Sequence, residues 1–340
     1  MLRFFNTLFL ILCVLLTSWQ HANAQRNSDP PELSPRRLKA LTKNDDTLSI
    51  PDPFNKVAAL RRLFPGRYFK FEVVGRTVHQ EFWTCPKCPK VIVPGTMGGE
   101  TADVFENPGE PDLFPYASNS TIPGDVLHYV DDDGNACVIM SFSTIQATIA
   151  ADETMFCGRF SCCVLGLARF VKTNNRWYLK GFVPSFGCYG AFRDLPDIHL
   201  IRFGRNNYGC YLLDCNGGAG GPYWGHLHMF GEANGRFKEV LSVQDVRRNN
   251  ALDGWNEQIG KADTSFARPF GDLPLIIEGD YKKWAYTDGN ETPIADCIPM
   301  EIRKIIAARD SFNFRIRRVY RYKGNGYQLL QTKVTTKHKQ

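Results

Sequence analysis

Apolar and polar residues alternate with a period of two over much of the chain, which is the pattern of β-strands that bury one face. Short runs rich in Gly and Asn separate the alternating segments. A series of four such segments after Asp197 predicts an antiparallel meander. These segments are Ile198–Phe203, Tyr208–Leu213, Tyr223–Phe230 and Phe237–Val243.

Three further parts of the pattern predict hairpins. Val164–Val171 and Trp177–Val183 flank Asn174-Asn175, where asparagine tolerates the positive φ that a tight turn needs. Near the C-terminus, Phe312–Lys323 and Tyr327–Gln331 flank Gly324-Asn325-Gly326. The remaining predicted strands are Tyr68–Val74 and the pair His128–Val130 and Cys137–Phe142.

Two segments have the spacing of short helices instead. Phe54–Phe64 places Val57, Leu60 and Phe64 on one side and ends at Pro65-Gly66; Pro299–Arg309 places Ile302, Ile305 and Ile306 on one face. We therefore predict a mainly β protein, an antiparallel sandwich or propeller-like meander with two short accessory helices, stabilised by disulfides.

The first 24 residues have the features of a secretory signal peptide. A basic start at Arg3 precedes a short apolar run, and Ala22-Asn23-Ala24 forms a small-x-small cleavage site. We therefore expect a secreted or periplasmic protein with no transmembrane anchor after signal cleavage. The predicted organisation is a signal peptide at 1–24, a flexible lead-in at 25–53, a globular region at 54–332 and a basic tail at 333–340. The globular region is one domain or two subdomains with a break near 245–270.

Cysteine content supports the same compartment. Removing Cys13 with the signal peptide leaves ten cysteines, and an even number in an exported protein predicts disulfides. The candidates are Cys85, Cys88, Cys137, Cys157, Cys162, Cys163, Cys188, Cys210, Cys215 and Cys297. The CPKC pair at Cys85 and Cys88 has two alternatives, a redox pair and half of a zinc site, but the following Pro89 and VIVPG do not begin the helix that a redox pair requires.

A glycine-rich segment, Asn216–Gly231, carries the first candidate site. His226 and His228 share one strand face and are metal candidates, with Asp214 or His199 as a third ligand. Tyr223 and Trp224 beside them could form a surface on which a sugar or a peptide stacks. Ordinary aromatic packing explains the same residues without a ligand.

An acidic run, Asp131-Asp132-Asp133-Gly134-Asn135, carries the second candidate site. Clustered carboxylates bind calcium, but the glycine lies two positions earlier than in a calcium loop. A hairpin turn between the flanking strands explains Asp-Gly equally well.

The third candidate site is electrostatic. Residues 299–340 contain eleven Lys and Arg against two acidic residues, a formal charge of +9, whereas the whole chain carries +6 and the remainder about −3. One face of Phe312–Lys323 is apolar apart from Arg318, and the other carries Arg315, Arg317, Arg321 and Lys323. This basic row could hold an anionic glycan, a lipid head group or an acidic protein. The alternative is a solvated face whose charges prevent edge pairing.

Motifs for catalysis are absent from the sequence: there is no GxSxG, HExxH or helix-initiating GxGxxG. The sequence therefore favours a non-catalytic exported binding module for a glycan or protein partner, with no cofactor. The alternative is an envelope or secreted hydrolase, assisted by a metal at His226 and His228. Nucleic acid is not an expected partner of an exported chain without a recognition motif.

Overall fold

The computed structural model describes residues 48–63, 67–72, 79–84, 92–93, 102–103, 119–146, 163–190, 195–217, 223–233, 236–249, 253–263, 268–283 and 298–337. These residues form eighteen β-strands and two short helices, and sixteen of the strands belong to two eight-stranded sheets. Every pairing in both sheets is antiparallel, which confirms the mainly β, antiparallel character that the alternation predicts. No helix of the described residues is long and apolar enough to cross a membrane.

The N-terminal half of the described chain builds the first sheet. Its strands are β1 (Ser49–Pro51), β2 (Arg67–Glu72), β3 (His79–Thr84), β6 (Asn119–Val130), β7 (Ala136–Gln146), β8 (Cys163–Thr173), β9 (Arg176–Val183) and β10 (Cys188–Tyr189), while β4 (Ile92–Val93) and β5 (Ala102–Asp103) form a separate pair. The order across the sheet is β1-β9-β8-β7-β6-β3-β2, and β10 pairs with β8. The predicted turn between β8 and β9 is confirmed, with Asn174 and Asn175 at φ values of 48° and 59°.

Strand β1 lies at the end of the predicted lead-in of residues 25–53, of which the structure describes only residues 48–53. Leu48 and Ile50 are buried, and Ile50 lies opposite Trp177 of β9. The indole nitrogen of Trp177 donates a 2.8 Å hydrogen bond to Asp52, which also accepts a 2.8 Å bond from Lys172. Two buried apolar residues at alternate positions, followed by the carboxylate of Asp52, thus attach this strand to the sheet edge.

Helix α1 (Lys56–Leu63) covers the outer face of the first sheet. Asn55 begins the helix, since its side-chain oxygen accepts a 2.9 Å hydrogen bond from the backbone N–H of Ala58. Leu60 and Leu63 pack into a core that we call the outer core, whose other buried members are Leu48, Ile50, Ala59, Val138, Met140, Phe142, Val164, Ala168, Phe170, Trp177 and Phe182. The first predicted helix is thus confirmed between Lys56 and Leu63; Phe64 lies outside the described residues.

The C-terminal half builds the second sheet as a continuous meander. Its strands are β11 (Ile198–Gly204), β12 (Asn207–Gly217), β13 (Tyr223–Ala233), β14 (Arg236–Asn249), β15 (Gly254–Ile259), β16 (Leu273–Lys282), β17 (Ser311–Tyr322) and β18 (Tyr327–Lys337). Each strand pairs with the next one in the chain, from β11 through to β18. Residues 245–270 therefore connect neighbours in one sheet, and the chain passes between the sheets after Tyr189. Strand β18 also includes residues 333–337, which the sequence assigned to a basic tail.

The two sheets share a buried layer, here called the middle core. Ile139, Leu165 and Leu167 of the first sheet meet the second sheet there, together with Phe186 and Tyr189. The second sheet contributes residues of β11–β14 only: Ile198, Cys210, Leu212, Phe230 and Phe237.

The other face of the second sheet curls around a separate core, here called the curl core. Buried residues from β11 to β18 belong to it, and Phe203 of β11 lies 5.9 Å from Tyr327 of β18 between ring centroids. The loop between β15 and β16 joins the two ends of the sheet: Gly271 donates a 2.7 Å backbone bond to Phe203 and accepts a 3.0 Å bond from the Tyr327 hydroxyl. The curl thus brings the first and last strands of the meander to one core.

The second predicted helix closes this core and is shorter than expected. A 3₁₀ turn (Met300–Ile302) leads into α2 (Arg303–Ile306), and Ile302 is fully buried while Ile305 and Ile306 pack against the curl core. The predicted apolar face is therefore confirmed.

A buried ion pair links the 3₁₀ turn to β17. Arg318 interrupts the apolar face of β17 and donates two hydrogen bonds, of 2.7 and 2.6 Å, to the carboxylate of Glu301. The two side chains are only 9% and 15% exposed. Burial alone would raise the pKa of Glu301, but the hydrogen bonds and charge of Arg318 outweigh burial, so the pKa lies below its usual value.

We expect Glu301→Gln to lower the free energy of unfolding at pH 7 by about 2–4 kcal/mol, because Arg318 would keep its charge without a compensating carboxylate. Urea denaturation measures this difference. Because the folded-state pKa of Glu301 is lowered, its contribution is present above the ordinary value of 4.5 and disappears as the pH falls through the folded-state pKa. The difference between wild type and variant should therefore shrink in acid.

The double variant Glu301→Leu/Arg318→Met is the matched control, since it removes both charges. Its stability should return to within about 1 kcal/mol of wild type. A single variant as stable as wild type at pH 7 would show that the pair does not hold the turn on the curl core.

Candidate functional site

The hairpin of β17 and β18 carries an excess of positive charge on one face. Strand β17 alternates as predicted: Phe312, Phe314, Ile316 and Tyr320 are buried, while Arg315, Arg317 and Arg321 are exposed. Residues 311–337 include seven Lys and Arg and no acidic residue. Any neutralising carboxylate must therefore come from outside the hairpin.

Other elements neutralise three of these seven cations. Arg318 pairs with Glu301 inside the core, and Arg321 makes two hydrogen bonds, of 2.9 and 2.7 Å, to Asp272. Arg315 lies 3.5 Å from Glu278 of β16, with both side chains well exposed. Such an exposed pair contributes little, and its charges stay accessible to solvent.

The other four cations are Arg317, Lys323, Lys333 and Lys337, and none forms an ion pair with any described residue. All four are exposed. We define the basic face as the outward-pointing basic residues of β17 and β18: Arg315, Arg317, Arg321, Lys333 and Lys337. Lys323 lies beside it in the turn. The sequence identified the arginines of this face, but it placed Lys333 and Lys337 in a tail.

A β-bulge determines the arrangement of the basic face. At the turn Tyr320 pairs with Leu329, but the next residue, Val319, pairs with Gln331, so Leu330 is an extra residue on β18. Beyond the bulge Arg317 lies directly opposite Lys333. In the unshifted register Arg317 would face Thr332, and Lys333 would face the buried Ile316. The bulge therefore turns Lys333 outward, beside another cation.

Tyr223 and Trp224 do not join the basic face. They begin β13, which three intervening strands separate from β17 in the sheet order. Trp224 is half-buried, with Asn216 and Arg248 as cross-strand neighbours. Only the backbone of Tyr223 is described, and it pairs with Gly217 and Asn249. The predicted ligand residues thus divide into two separate places on the sheet.

His226 and His228 do share a face of β13, and both face neighbouring protein groups. Nδ1 of His228 lies 2.6 Å from a carboxylate oxygen of Glu239, and its ring lies 4.9 Å from that of Tyr189. His226 lies opposite Asp214, and Asp214 accepts a 3.1 Å hydrogen bond from the backbone of Gly190.

Burial, and then the neighbouring His228, lower the pKa of His226, which favours a neutral ring. The described residues contain no cluster of three or more His, Cys, Asp or Glu side chains arranged to hold a metal ion. The pair therefore belongs to the contact between β10 and the second sheet.

The acidic run forms the turn of the β6–β7 hairpin, as the alternative interpretation predicted. A carboxylate oxygen of Asp131 accepts hydrogen bonds from the backbones of Asp133 and Asn135, at 3.1 and 2.8 Å. Gly134 has a φ of 84°, which favours glycine at this position.

The next two aspartates dock this turn on the β11–β12 hairpin of the second sheet. Asp132 accepts a 2.7 Å hydrogen bond from the backbone of Asn206 and a 2.8 Å bond from Arg202. Asp133 accepts a 2.8 Å bond from the Asn206 side chain. The Asn206 backbone, and then the charge of Arg202, hold the pKa of Asp132 below its usual value despite partial desolvation. The three carboxylates therefore serve as contacts within and between the sheets.

Of the ten cysteines that follow Cys13, the structure describes Cys137, Cys163, Cys188, Cys210 and Cys215, and no disulfide joins any two of these five. Cys210 is fully buried in the middle core, and burial raises the pKa of its thiol. Cys215 is exposed. Cys85, Cys88, Cys157, Cys162 and Cys297 lie outside the described residues, so the prediction for the CPKC pair stays open.

Comparisons of the chain with protein-family models, with curated proteins and with solved structures each find no match. Of the candidate places above, the basic face is the one that contains charged groups, Arg317, Lys333 and Lys337, with no ion-pair partner among the described residues.

We expect the thermal midpoint to be unchanged, within about 1 °C, when Ca²⁺ is added to about 1 mM, because hydrogen bonds already occupy the carboxylates of residues 131–133. Differential scanning fluorimetry against Mg²⁺ and a chelator measures this. A Ca²⁺-specific rise in the midpoint that Asp132→Asn removes would instead show a calcium site in this turn.

Proposed function

We propose that this chain is a non-catalytic binding module, exported to the periplasm or outside the cell, that binds an anionic partner through its basic face. One observation carries the proposal: Arg317 and Lys333 lie directly opposite each other, with no carboxylate partner among the described residues. The N-terminal signal-peptide pattern supports the compartment.

Like charges on directly opposite strand positions destabilise a sheet by a few tenths to about 1 kcal/mol. Both side chains point away from the curl core, so packing does not require cations at these positions. A carboxylate or sulfate bound between them would remove the repulsion and gain charge-assisted hydrogen bonds. Arg315 and Lys337 extend the same positive surface along the two strands.

The alternative explanation, a solvated face that prevents edge pairing, makes a different prediction. Edge protection requires charge on β18, where Lys333 and Lys337 provide it. It does not require Arg317, because β17 already has partners on both sides. Arg317 lies on β17, which is not an edge strand, and its charge therefore favours ligand binding over edge protection as the explanation of this face.

We expect Arg317→Ser/Lys333→Ser to weaken binding of poly-glutamate or dextran sulfate about tenfold or more, and to reduce the dependence of affinity on salt concentration. Isothermal titration calorimetry at two ionic strengths measures both. The matched control is Lys180→Ser/Lys261→Ser, which removes the same net charge from exposed positions outside the hairpin. Equal weakening by both double variants would mean that net charge alone, and not this face, attracts polyanions.

For the architecture, we propose the sandwich form of the prediction and not the propeller. The middle core between β7–β8 and β11–β14 supports it, because a single buried layer between two sheets is what defines a sandwich. The curl of the second sheet around its own core is an addition to that plan.

For the exported protein we also propose disulfides, confined to cysteines other than Cys137, Cys210 and Cys215. These three have no disulfide, which leaves seven of the ten mature cysteines and at most three bonds. We expect a denatured mass at most six hydrogens below the fully reduced value. Native alkylation should label the exposed Cys215 before Cys210, although burial of its thiol raises the pKa of Cys215 and slows the reaction. Cys210, fully buried, should react only after unfolding. A deficit of ten hydrogens would instead restore the five-disulfide framework.

The hydrolase alternative has one supporting observation, the 2.6 Å contact between His228 and Glu239. A carboxylate that orients an imidazole is part of many acid–base sites. Among the described residues, however, no hydroxyl or thiol group hydrogen-bonds to His228 as a nucleophile would. The basic face therefore gives the better-supported function.

A further inference from the structure

Among the described residues, one edge of the second sheet has backbone partners from a neighbouring segment, whereas the other edge has no further strand paired with it. At the β11 edge, the segment after residue 267 makes backbone hydrogen bonds: Arg205 donates to Arg268 at 3.1 Å, and Gly271 donates to Phe203 at 2.7 Å. At the other edge, β18 forms a strand ladder with β17 only among the described residues. Strand β14 contacts β18 and its turn, where Gly326 lies beside the backbone of Val240 and Lys238 donates a 3.2 Å hydrogen bond to Gly324. Beyond this contact at its start, β18 (Tyr327–Lys337) presents a strand edge to which no described strand is paired.

The side chains of β18 make this edge selective. Lys333 and Lys337 lie on the outer side of the strand, four residues apart and therefore on the same face. A second copy of β18 would bring more lysines to the same edge and would be repelled. An acidic strand would be attracted to it. The charge therefore discriminates between partners in addition to suppressing self-association.

Apolar contacts are available at the start of the same strand. Leu329 and Leu330 are 53% and 47% exposed, and they lie at the bulge, where adjacent side chains depart from simple alternation. Further along, the half-buried Val334 lies opposite Ile316 on the inner side. An added strand would thus meet lysines on its outer side and aliphatic or threonine side chains on its inner side.

We propose that β18 accepts an acidic, extended peptide segment of a partner protein as a ninth, antiparallel strand. The inference rests on the proposed function and specifies its partner: carboxylates at every second position face Lys333 and Lys337, and apolar or β-branched residues alternate with them. Backbone hydrogen bonds would give such a complex its affinity, and the lysines its selectivity.

The test uses the full mature chain and a fluorescently labelled octapeptide in which Glu alternates with Val. A second peptide has the same sequence with N-methyl groups on alternate backbone nitrogens, which removes the donors on one edge while keeping every charge. A third has Lys in place of Glu. Fluorescence anisotropy measures the dissociation constant of each.

We expect the Glu-Val peptide to bind, and the N-methyl and Lys peptides to bind about tenfold or more weakly. The variant Lys333→Glu/Lys337→Glu should reverse the preference between the Glu and Lys peptides. Along β18 the backbone N–H groups point alternately to β17 and to the open edge, and proline removes one N–H group. Of the variants Thr335→Pro and Thr336→Pro, the one that removes an edge-facing N–H should abolish peptide binding and leave the urea midpoint nearly unchanged. The other should lower the midpoint.

Three outcomes would overturn the inference in different ways. If the N-methyl peptide binds as tightly as its parent and Arg317→Ser/Lys333→Ser weakens both, the basic face binds anions without strand addition, and the proposed function survives alone. If neither the peptides nor dextran sulfate bind, the proposed function and the inference both fail. Sedimentation that shows a dimer lost in one proline variant would make a second copy of this chain the occupant.

Discussion

Strands β11–β14 bury both of their faces, and this double burial is the constraint on which the rest of the structure depends. Phe230 and Cys210 face the middle core, whereas Leu227 and Met229, on the opposite face, belong to the curl core. A sheet with apolar residues on both sides cannot remain an open single layer in water. The first sheet covers one side, and the second sheet covers the other by curling on itself. Both are needed, because the first sheet covers only one face of β11–β14 and the curl covers only the other.

The same constraint explains where binding can occur. The middle core includes residues of β11–β14 but none of β15–β18, so the first sheet leaves the outer side of the last four strands uncovered. Their inner side still requires apolar residues, such as Ile277 and Phe314, to complete the curl. The outer face of β17 can therefore carry arginines, while its inner face supplies apolar side chains to the curl core. Arg318 is the exception: it points into the interior, where it pairs with the carboxylate of Glu301 from the 3₁₀ turn.

Alternation alone predicted the faces of β17, the Asn174-Asn175 turn and the order of the meander, because each depends on residues close in the sequence. It did not predict that Glu301 pairs with Arg318 or that Asp132 docks on Asn206, because those partners meet only after the chain has folded. The outward position of Lys333 was also missed. A single extra residue, Leu330, reverses which side chains of β18 face outward, and no composition marks such a bulge. Strand β6 is longer than predicted: the sequence indicated only His128–Val130, whereas the strand begins at Asn119 and has an irregularity between Pro123 and Val126.

The strictly sequential pairing of β11–β18 also bears on how the chain acquires its structure. Every ladder in the second sheet joins neighbours in sequence, so each can form as soon as its second strand is available. The first sheet is different, because Ser49 of β1 must find Tyr178 of β9, far along the chain. Closing so long a loop is slow and costs conformational entropy. Strand β1 comes first among the described residues, yet we expect it to be among the last strands to join the fold. It can pair only after β9, which is synthesised much later, has formed the edge of the first sheet.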